Sequence, residues 1–182
     1  MFITKSTEDI LQPFQQGLVF AYPTEAVYGL GCDPKNESAV KQLLKIKQRP
    51  MSKGLILIAS DFSQVESYLE PLSSDQLEYI KPSETTYIYP AKASAPKWLT
   101  GDFDSLAVRI TKHPLVRELC TILDSALVST SANLTGEEPA RTSLEVAEAL
   151  DGLIEVILDG KTGELDKPTQ IRDSISGQII RA

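Results

Sequence analysis

The chain has 182 residues, 42% apolar and 24% charged, which fits one domain over residues 1–182 and excludes disordered and collagen-like classes. No apolar run approaches the roughly 20 residues that span a bilayer, and MFITKSTEDI lacks the charged start and long apolar stretch of a signal peptide. The chain therefore reads as cytoplasmic, with no membrane role. Its net charge of −7 argues against non-specific nucleic-acid binding as a main task, because phosphate neutralisation drives such binding.

Along the chain, Ser6 to Gln16 reads as a helix with Ser6 as cap and Gly17 as stop. LVFAYP (Leu18–Pro23) reads as a strand ended by Pro. Asn36 to Gln48 carries apolar Val40, Leu43, Leu44 and Ile46 near a 3.6 period, with Asn36 as cap. GLILIAS (Gly54–Ser60) is a continuous apolar run, the mark of a strand buried on both faces. Short helices follow over Asp61–Leu69 and Ser73–Ile80. TTYIYPA (Thr85–Ala91) and SLAVRI (Ser105–Ile110) read as strands. Pro114–Leu123 reads as a helix, ALVSTS (Ala126–Ser131) as a strand, and Thr142–Leu150 as a helix opened by a Thr142/Glu145 capping box. Glu155–Gly160, Thr169–Ser174 and Gly177–Ala182 read as short closing strands. This alternation predicts an α/β fold, and the clustered late strands predict a mixed sheet, parallel and antiparallel.

Two cysteines, Cys32 and Cys120, read as buried reduced thiols. His113 begins a helix ahead of Pro114 and offers little as a catalytic base. Neither a G-x-x-x-x-G-K-[ST] loop nor a G-x-G-x-x-G turn is present, so phosphate handling must rest on side chains and ordinary turns.

Three segments carry more polar detail than a core needs. YPTEAVYGLGCD (Tyr22–Asp33) reads either as a structural turn with a tyrosine plug or as a ligand-facing loop. Gly29 and Gly31 there permit unusual backbone conformations or close approach. LLKIKQRPMSKGL (Leu43–Leu55) gathers Lys45, Lys47, Arg49 and Lys53 at a helix end. Dipole complementation explains one or two of these cations; an anionic ligand explains all four, with Arg as a planar fork and Lys as a point charge. LVSTSANLTG (Leu127–Gly136) ends a buried strand in Ser129, Thr130, Ser131 and Asn133. These serve either as helix or turn caps or as ligands for a phosphate, ribose or metal at a strand end.

Together these segments resemble the YrdC-like family of threonylcarbamoyl-AMP synthases. The family's K-x-R…S-x-N tetrad appears as Lys47, Arg49, Ser131 and Asn133, its PTE-x-V-Y-G-L-G opening at Pro23–Gly31, its A-V-R strand end at Ala107–Arg109, and its R-D segment at Arg172–Asp173. The likeness runs in order over nearly the whole chain and is closest to the short, single-domain bacterial form. It implies a twisted sheet with a large, open, positively lined cavity. It also implies condensation of L-threonine, bicarbonate or CO2, and ATP (with Mg2+) into threonylcarbamoyl-AMP plus pyrophosphate. Partner proteins then pass the threonylcarbamoyl group to tRNA.

On that resemblance, Lys47, Arg49, Ser131 and Asn133 are catalytic and bind ATP, joined by Thr86 and Arg181. Thr24, Arg109 and Thr169 hold threonine, and no metal is held by protein side chains alone. The pattern predicts that Lys47→Ala or Arg49→Ala loses most turnover while the fold survives. Two departures stand out: KPSETT (Lys81–Thr86) where the family often reads W-P-G-P-x-T, and Ile58 where many relatives carry His. The alternatives are a non-catalytic RNA-binding maturation module using the same cavity, and a carbamoyl-adenylating domain like that of hydrogenase-maturation proteins.

Overall fold

Ten strands pair into one mixed sheet in a computed structural model describing all 182 residues. In chain order the elements are β1 (Phe2–Thr4), a 3-10 turn (Thr7–Ile10), α1 (Leu11–Gln15), β2 (Phe20–Pro23), β3 (Tyr28–Gly31), α2 (Glu37–Ile46), β4 (Ile56–Ala59), α3 (Ser74–Leu77) and β5 (Thr86–Pro90). They continue with α4 (Lys97–Thr100), β6 (Ser105–Ile110), α5 (Pro114–Ile122), β7 (Leu127–Ser131), α6 (Ser143–Ala149), β8 (Val156–Leu158), β9 (Ile171–Asp173) and β10 (Ile179–Arg181). The strands lie in the order β1-β8-β2-β3-β7-β4-β6-β5-β9-β10. Four neighbouring pairs are parallel (β1/β8, β2/β8, β4/β6, β5/β9) and the rest are antiparallel. This is the expected mixed α/β sheet flanked by helices.

Side chains alternate across the sheet, so each face builds its own core. On β4, Leu57 joins a large cluster with Val40, Leu43 and Leu44 of α2 and Val146 of α6. Its neighbour Ile58 joins a smaller cluster with Phe14 of α1 and Val116 and Leu119 of α5. The continuous apolar run GLILIAS thus belongs to a central strand covered on both sides.

Caps follow the sequence where the backbone needs them. The Asn36 side chain accepts from the Ala39 N–H at 3.1 Å. Thr142 and Glu145 form a reciprocal capping box on α6. Thr142→Ala removes that cap, and a thermal melt is expected to show a loss of about 1 kcal/mol, or about 2–4 °C for a chain of this size. An unchanged melt contradicts a stabilising cap.

Several expectations need correction. Ser6–Gln16 is not one helix. Pro13 lacks an N–H and its ring opposes a continuous helix through the preceding turn, so a 3-10 turn precedes a short α1 that Pro13 can enter near its start. The Ser6 side chain makes no cap; Gly17, at φ +73°, does end the element. Asp61–Leu69 folds as two 3-10 turns, Phe62–Gln64 and Glu66–Tyr68, because Val65 at φ −123° leaves helical geometry. Ser73 caps α3 through a capping box with Gln76, and the helix closes by Leu77. Strand β1 carried too little alternation over three residues to be legible. Cys32 and Cys120 are free and fully buried.

Candidate active site

The segment Tyr22–Asp33 is a β2–β3 hairpin, with Pro23 paired to Tyr28 and Phe20 to Gly31. Its tip closes through the Thr24 N–H and hydroxyl, both donated to the Val27 carbonyl at 3.0 and 2.7 Å. The tyrosine plug is real: the Tyr28 hydroxyl donates to the Gly160 carbonyl at 2.7 Å and accepts from its N–H at 3.0 Å. Gly31 serves close approach, not unusual φ. A Cβ there would stand 2.6 Å from the Tyr22 ring and 3.0 Å from the Val128 carbonyl.

Residue size on one sheet face creates a cavity. Phe20, Tyr22, Ile58 and Leu127 fill part of that face beneath α5. Further along the same face stand Gly29 on β3, Ser129 and Ser131 on β7, and Ser105 and Ala107 on β6. Small side chains there leave a cavity of about 450 Å³, within the usual range for small-molecule sites. The β-ladder sets this register: Gly29 faces Ser131, and Ile56 faces both Ser129 and Ala107.

Arg49, Lys53, Arg109 and Arg181 line this cavity, and no carboxylate does. Burial and the neighbouring Arg109 and Arg49 guanidiniums hold Arg181 below the ordinary arginine range. Burial does the same to Arg49. Three of these, Arg49, Lys53 and Arg181, have no carboxylate partner, and like charges gathered in an acidic chain raise the local concentration of anions. Arg49 is held from behind, its Nη2 donating to the Gly54 carbonyl at 3.0 Å and the Lys53 carbonyl at 3.3 Å.

Thr24, Arg49, Arg109, Ser131, Thr169 and Arg181 all border the cavity; Lys47, Asn133 and Thr86 stand behind its wall. Lys47 Nζ donates to the Ser131 carbonyl (2.7 Å), the Asn133 carbonyl and Asn133 Oδ1 (2.7 Å). The same Oδ1 accepts from the Ser131 hydroxyl at 2.6 Å. Asn133 Nδ2 donates to the carbonyls of Leu134 (3.0 Å) and Glu137 (2.6 Å). KQR and STSAN are therefore joined by direct hydrogen bonds, with Lys47 pinning the turn that presents Ser131. Thr86 is fully buried and meets the site through Thr169, hydroxyl to hydroxyl at 3.3 Å.

Burial, then Arg49, lower the Lys47 ammonium to about 8. A lowered value means the proton is lost earlier as pH rises, leaving a donor too few for three acceptors. Turnover is expected to fall through pH 8 to 9 with the fold intact by circular dichroism. A flat profile to pH 9.5 contradicts this role for Lys47.

Glu25 stands in the Pro23–Gly31 motif, but sequence reasoning assigned it no role. Its Oε2 lies 3.1 Å from Arg109 Nη2, with side-chain exposures of 4% and 6%. Its Oε1 accepts from the Thr111 hydroxyl, while Arg109 Nη1 donates to Thr169 Oγ1. The signal was a carboxylate two residues past a strand in an otherwise apolar segment. Arg181 Nη2 donates to the Thr169 carbonyl at 3.0 Å.

The departures from the resemblance also find places. Ile58 is fully buried beneath α5, away from the cavity. The KPSETT stretch extends the sheet: the Ser83 N–H donates to the Ile110 carbonyl at 2.8 Å and Ser83 bridges to Thr111. His113 is buried, its Nε2 at 3.0 Å from the Lys161 carbonyl, and does not border the cavity.

A family model named Sua5_yciO_yrdC, described as "Telomere recombination", matches residues 12–182. The chain belongs to the Sua5/YciO/YrdC family. Among its curated relatives in this family is the threonylcarbamoyl-AMP synthase of Klebsiella pneumoniae, 52% identical over 168 residues, covering 90% of this chain and 88% of that one. That of Vibrio campbellii is 46% identical over 182 residues, covering 97% and 98%. Among solved structures, P. abyssi Sua5 complexed with L-threonine superposes with a TM-score of 0.88 at 27% identity, covering 95% of this chain and 54% of that longer one. E. coli YciO, at 23% identity and a TM-score of 0.80 over 96% of this chain and 87% of that one, shares the fold.

Proposed function

We infer that this chain is a threonylcarbamoyl-AMP synthase, an enzyme that condenses L-threonine, bicarbonate or CO2, and ATP into threonylcarbamoyl-AMP and pyrophosphate. The observation that carries the reading is a cavity with four cationic side chains and no carboxylate, in a chain about half identical to curated synthases. Such a lining suits a triphosphate and an amino-acid carboxylate together.

The threonine amine adds to CO2 and loses a proton, giving a carbamate. A carbamate oxygen then bonds to the α-phosphorus as the bond to the bridging oxygen breaks and pyrophosphate leaves. Charge grows on the phosphoryl oxygens, and fixed cations stabilise it at no reorganisation cost. Arg49 and Arg181 receive the nucleotide phosphates, joined by the Ser131 hydroxyl when its one proton turns from Asn133 Oδ1 to a phosphate oxygen. Lys47, Asn133 and Thr86 act from behind by holding Ser131 and Thr169. Arg109 receives the threonine carboxylate between Thr24 and Thr169. Holding three reactants in line supplies much of the remaining rate enhancement. Magnesium enters with the triphosphate as part of the substrate, since the lining's guanidiniums, ammonium and hydroxyls suit phosphate oxygens and not a divalent cation.

We assign residues 1–182 to one domain and the reaction to the cytoplasm, where ATP is abundant and buried thiols such as Cys32 and Cys120 stay reduced. No helix is long and apolar enough to cross a membrane. The product is consumed by proteins that transfer the threonylcarbamoyl group to tRNA.

Pyrophosphate release tests this with ATP, Mg2+, bicarbonate and a panel of amino acids. Release that needs threonine is the expected result. No release with any amino acid, beside tight and salt-sensitive tRNA binding, favours a non-catalytic RNA module instead.

A further inference from the structure

A buried ion pair, Glu25–Arg109, stands at the cavity wall, with Arg109 in the lining and Glu25 outside it. Arg109 is the only cavity cation with a carboxylate partner. Both members are almost wholly excluded from solvent, where an unpaired charge is costly and a fixed pair confers geometry. The pair is braced at each end. Thr111 donates its hydroxyl to Glu25 Oε1, and its own N–H is tied to the Ala59 carbonyl at 3.0 Å. Arg109 Nη1 reaches Thr169 Oγ1, whose residue is held by Arg181.

The Glu25 backbone is fixed as firmly. Its carbonyl accepts from the Leu165 N–H at 3.2 Å, and the Thr24 carbonyl accepts from the Gly163 N–H at 2.9 Å. Gly163 lies so close that a Cβ there would come 2.5 Å from the Glu25 carbonyl oxygen. A carboxylate this constrained dictates where its guanidinium partner sits. Arg109 Nε is buried without a hydrogen-bond partner and is closed to a ligand. Nη1 donates to Thr169 and Nη2 lies 3.1 Å from Glu25 Oε2, so each of these two nitrogens keeps a second N–H for a ligand.

We propose that Glu25 is the positioning residue for Arg109: it fixes the guanidinium so that the free N–H groups meet the amino-acid carboxylate, and it does so without touching substrate. This rests on the reading that Arg109 receives that carboxylate. Glu25 also offsets the charge of Arg109, so the pair presents directed donors with little net attraction for stray phosphate. The triphosphate is thereby left to Arg49 and Arg181.

Initial-rate kinetics on Glu25→Gln and Glu25→Ala, with Arg109→Lys as reference, test this. Gln keeps the shape and an acceptor oxygen but loses the charge; Ala loses both. KM for threonine is expected to rise by about tenfold or more in Ala and by less in Gln, with KM for ATP within about twofold of the parent. Gln alone serves as the test where Ala fails to fold. Equal changes in both KM values, or a lowered melting temperature with an unchanged threonine KM, make Glu25 a hairpin strut and overturn the proposal. A threonine KM untouched by Arg109→Lys instead overturns the assignment of the carboxylate to Arg109, a separate failure.

Discussion

Arg49→Ala is expected to lower turnover by about 10²–10³-fold, the loss typical of removing one preorganised donor from a developing negative charge. The fold should tolerate it. The two hydrogen bonds lost run to the Lys53 and Gly54 carbonyls at the cavity wall, worth about 1 kcal/mol together after solvent exchange. That corresponds to a fall of about 2–4 °C in melting temperature. Arg49→Lys retains charge but not the planar fork, so it should recover only part of the rate. Steady-state kinetics beside a thermal melt decide the matter. Near-normal turnover in Arg49→Ala removes this residue from the phosphate site.

Lys47→Ala should look different, although the tetrad pattern groups the two residues. Lys47 is 6% exposed, and its ammonium is the donor for the Ser131 carbonyl, the Asn133 carbonyl and Asn133 Oδ1. Truncation leaves these oxygens short of a donor, at about 1–3 kcal/mol for each that water cannot reach. A total of about 3–5 kcal/mol is expected, with a melting temperature about 10 °C lower. Turnover should fall sharply as well, because Ser131 loses its anchor. The sequence pattern alone predicts an intact fold; burial of Nζ revises that. Chemical denaturation measures the loss, and an unchanged midpoint contradicts the bracing role.

The pairing of KQR with STSAN was legible because each motif breaks a local rule: four cations in nine residues at one helix end, and a buried strand ending in hydroxyls and an amide. What each member does was not legible. Charge alone cannot tell a cation facing a cavity, as Arg49 does, from one spent on carbonyls, as Lys47 is. That division depends on the 84-residue separation between Lys47 and Ser131 being closed by the sheet. Central strands and capped helices were readable because β4 is apolar throughout and Asn36 and Thr142 are good caps. The Ser6–Gln16 helix failed because Pro13 is tolerated only near a helix start, so α1 begins at Leu11 after a 3-10 turn, and β1 because three residues show no period. The cavity floor was hidden for another reason: Gly29, Ser105, Ala107, Ser129 and Ser131 are unremarkable singly. Only the register of β3, β7, β4 and β6 brings them together.

The Glu25–Arg109 pair belongs to the same class. Both residues sit inside recognisable motifs, yet their partnership spans the hairpin tip and β6 and appears only once the sheet forms. The ion pair and the Lys47 cluster are the two places where a buried charge outside the cavity lining, Glu25 in one and Lys47 in the other, fixes a residue that belongs to the lining. Variation there should change how substrates are held more than whether they enter.

The central claim is that the carbon of bicarbonate becomes the bridge between threonine and AMP. Mass spectrometry of a reaction containing ATP, Mg2+, threonine and 13C-bicarbonate tests it most directly. The account predicts an adenylate carrying threonine and the label, formed together with pyrophosphate. An unlabelled threonyl adenylate, or pyrophosphate release without any labelled adenylate, would contradict it.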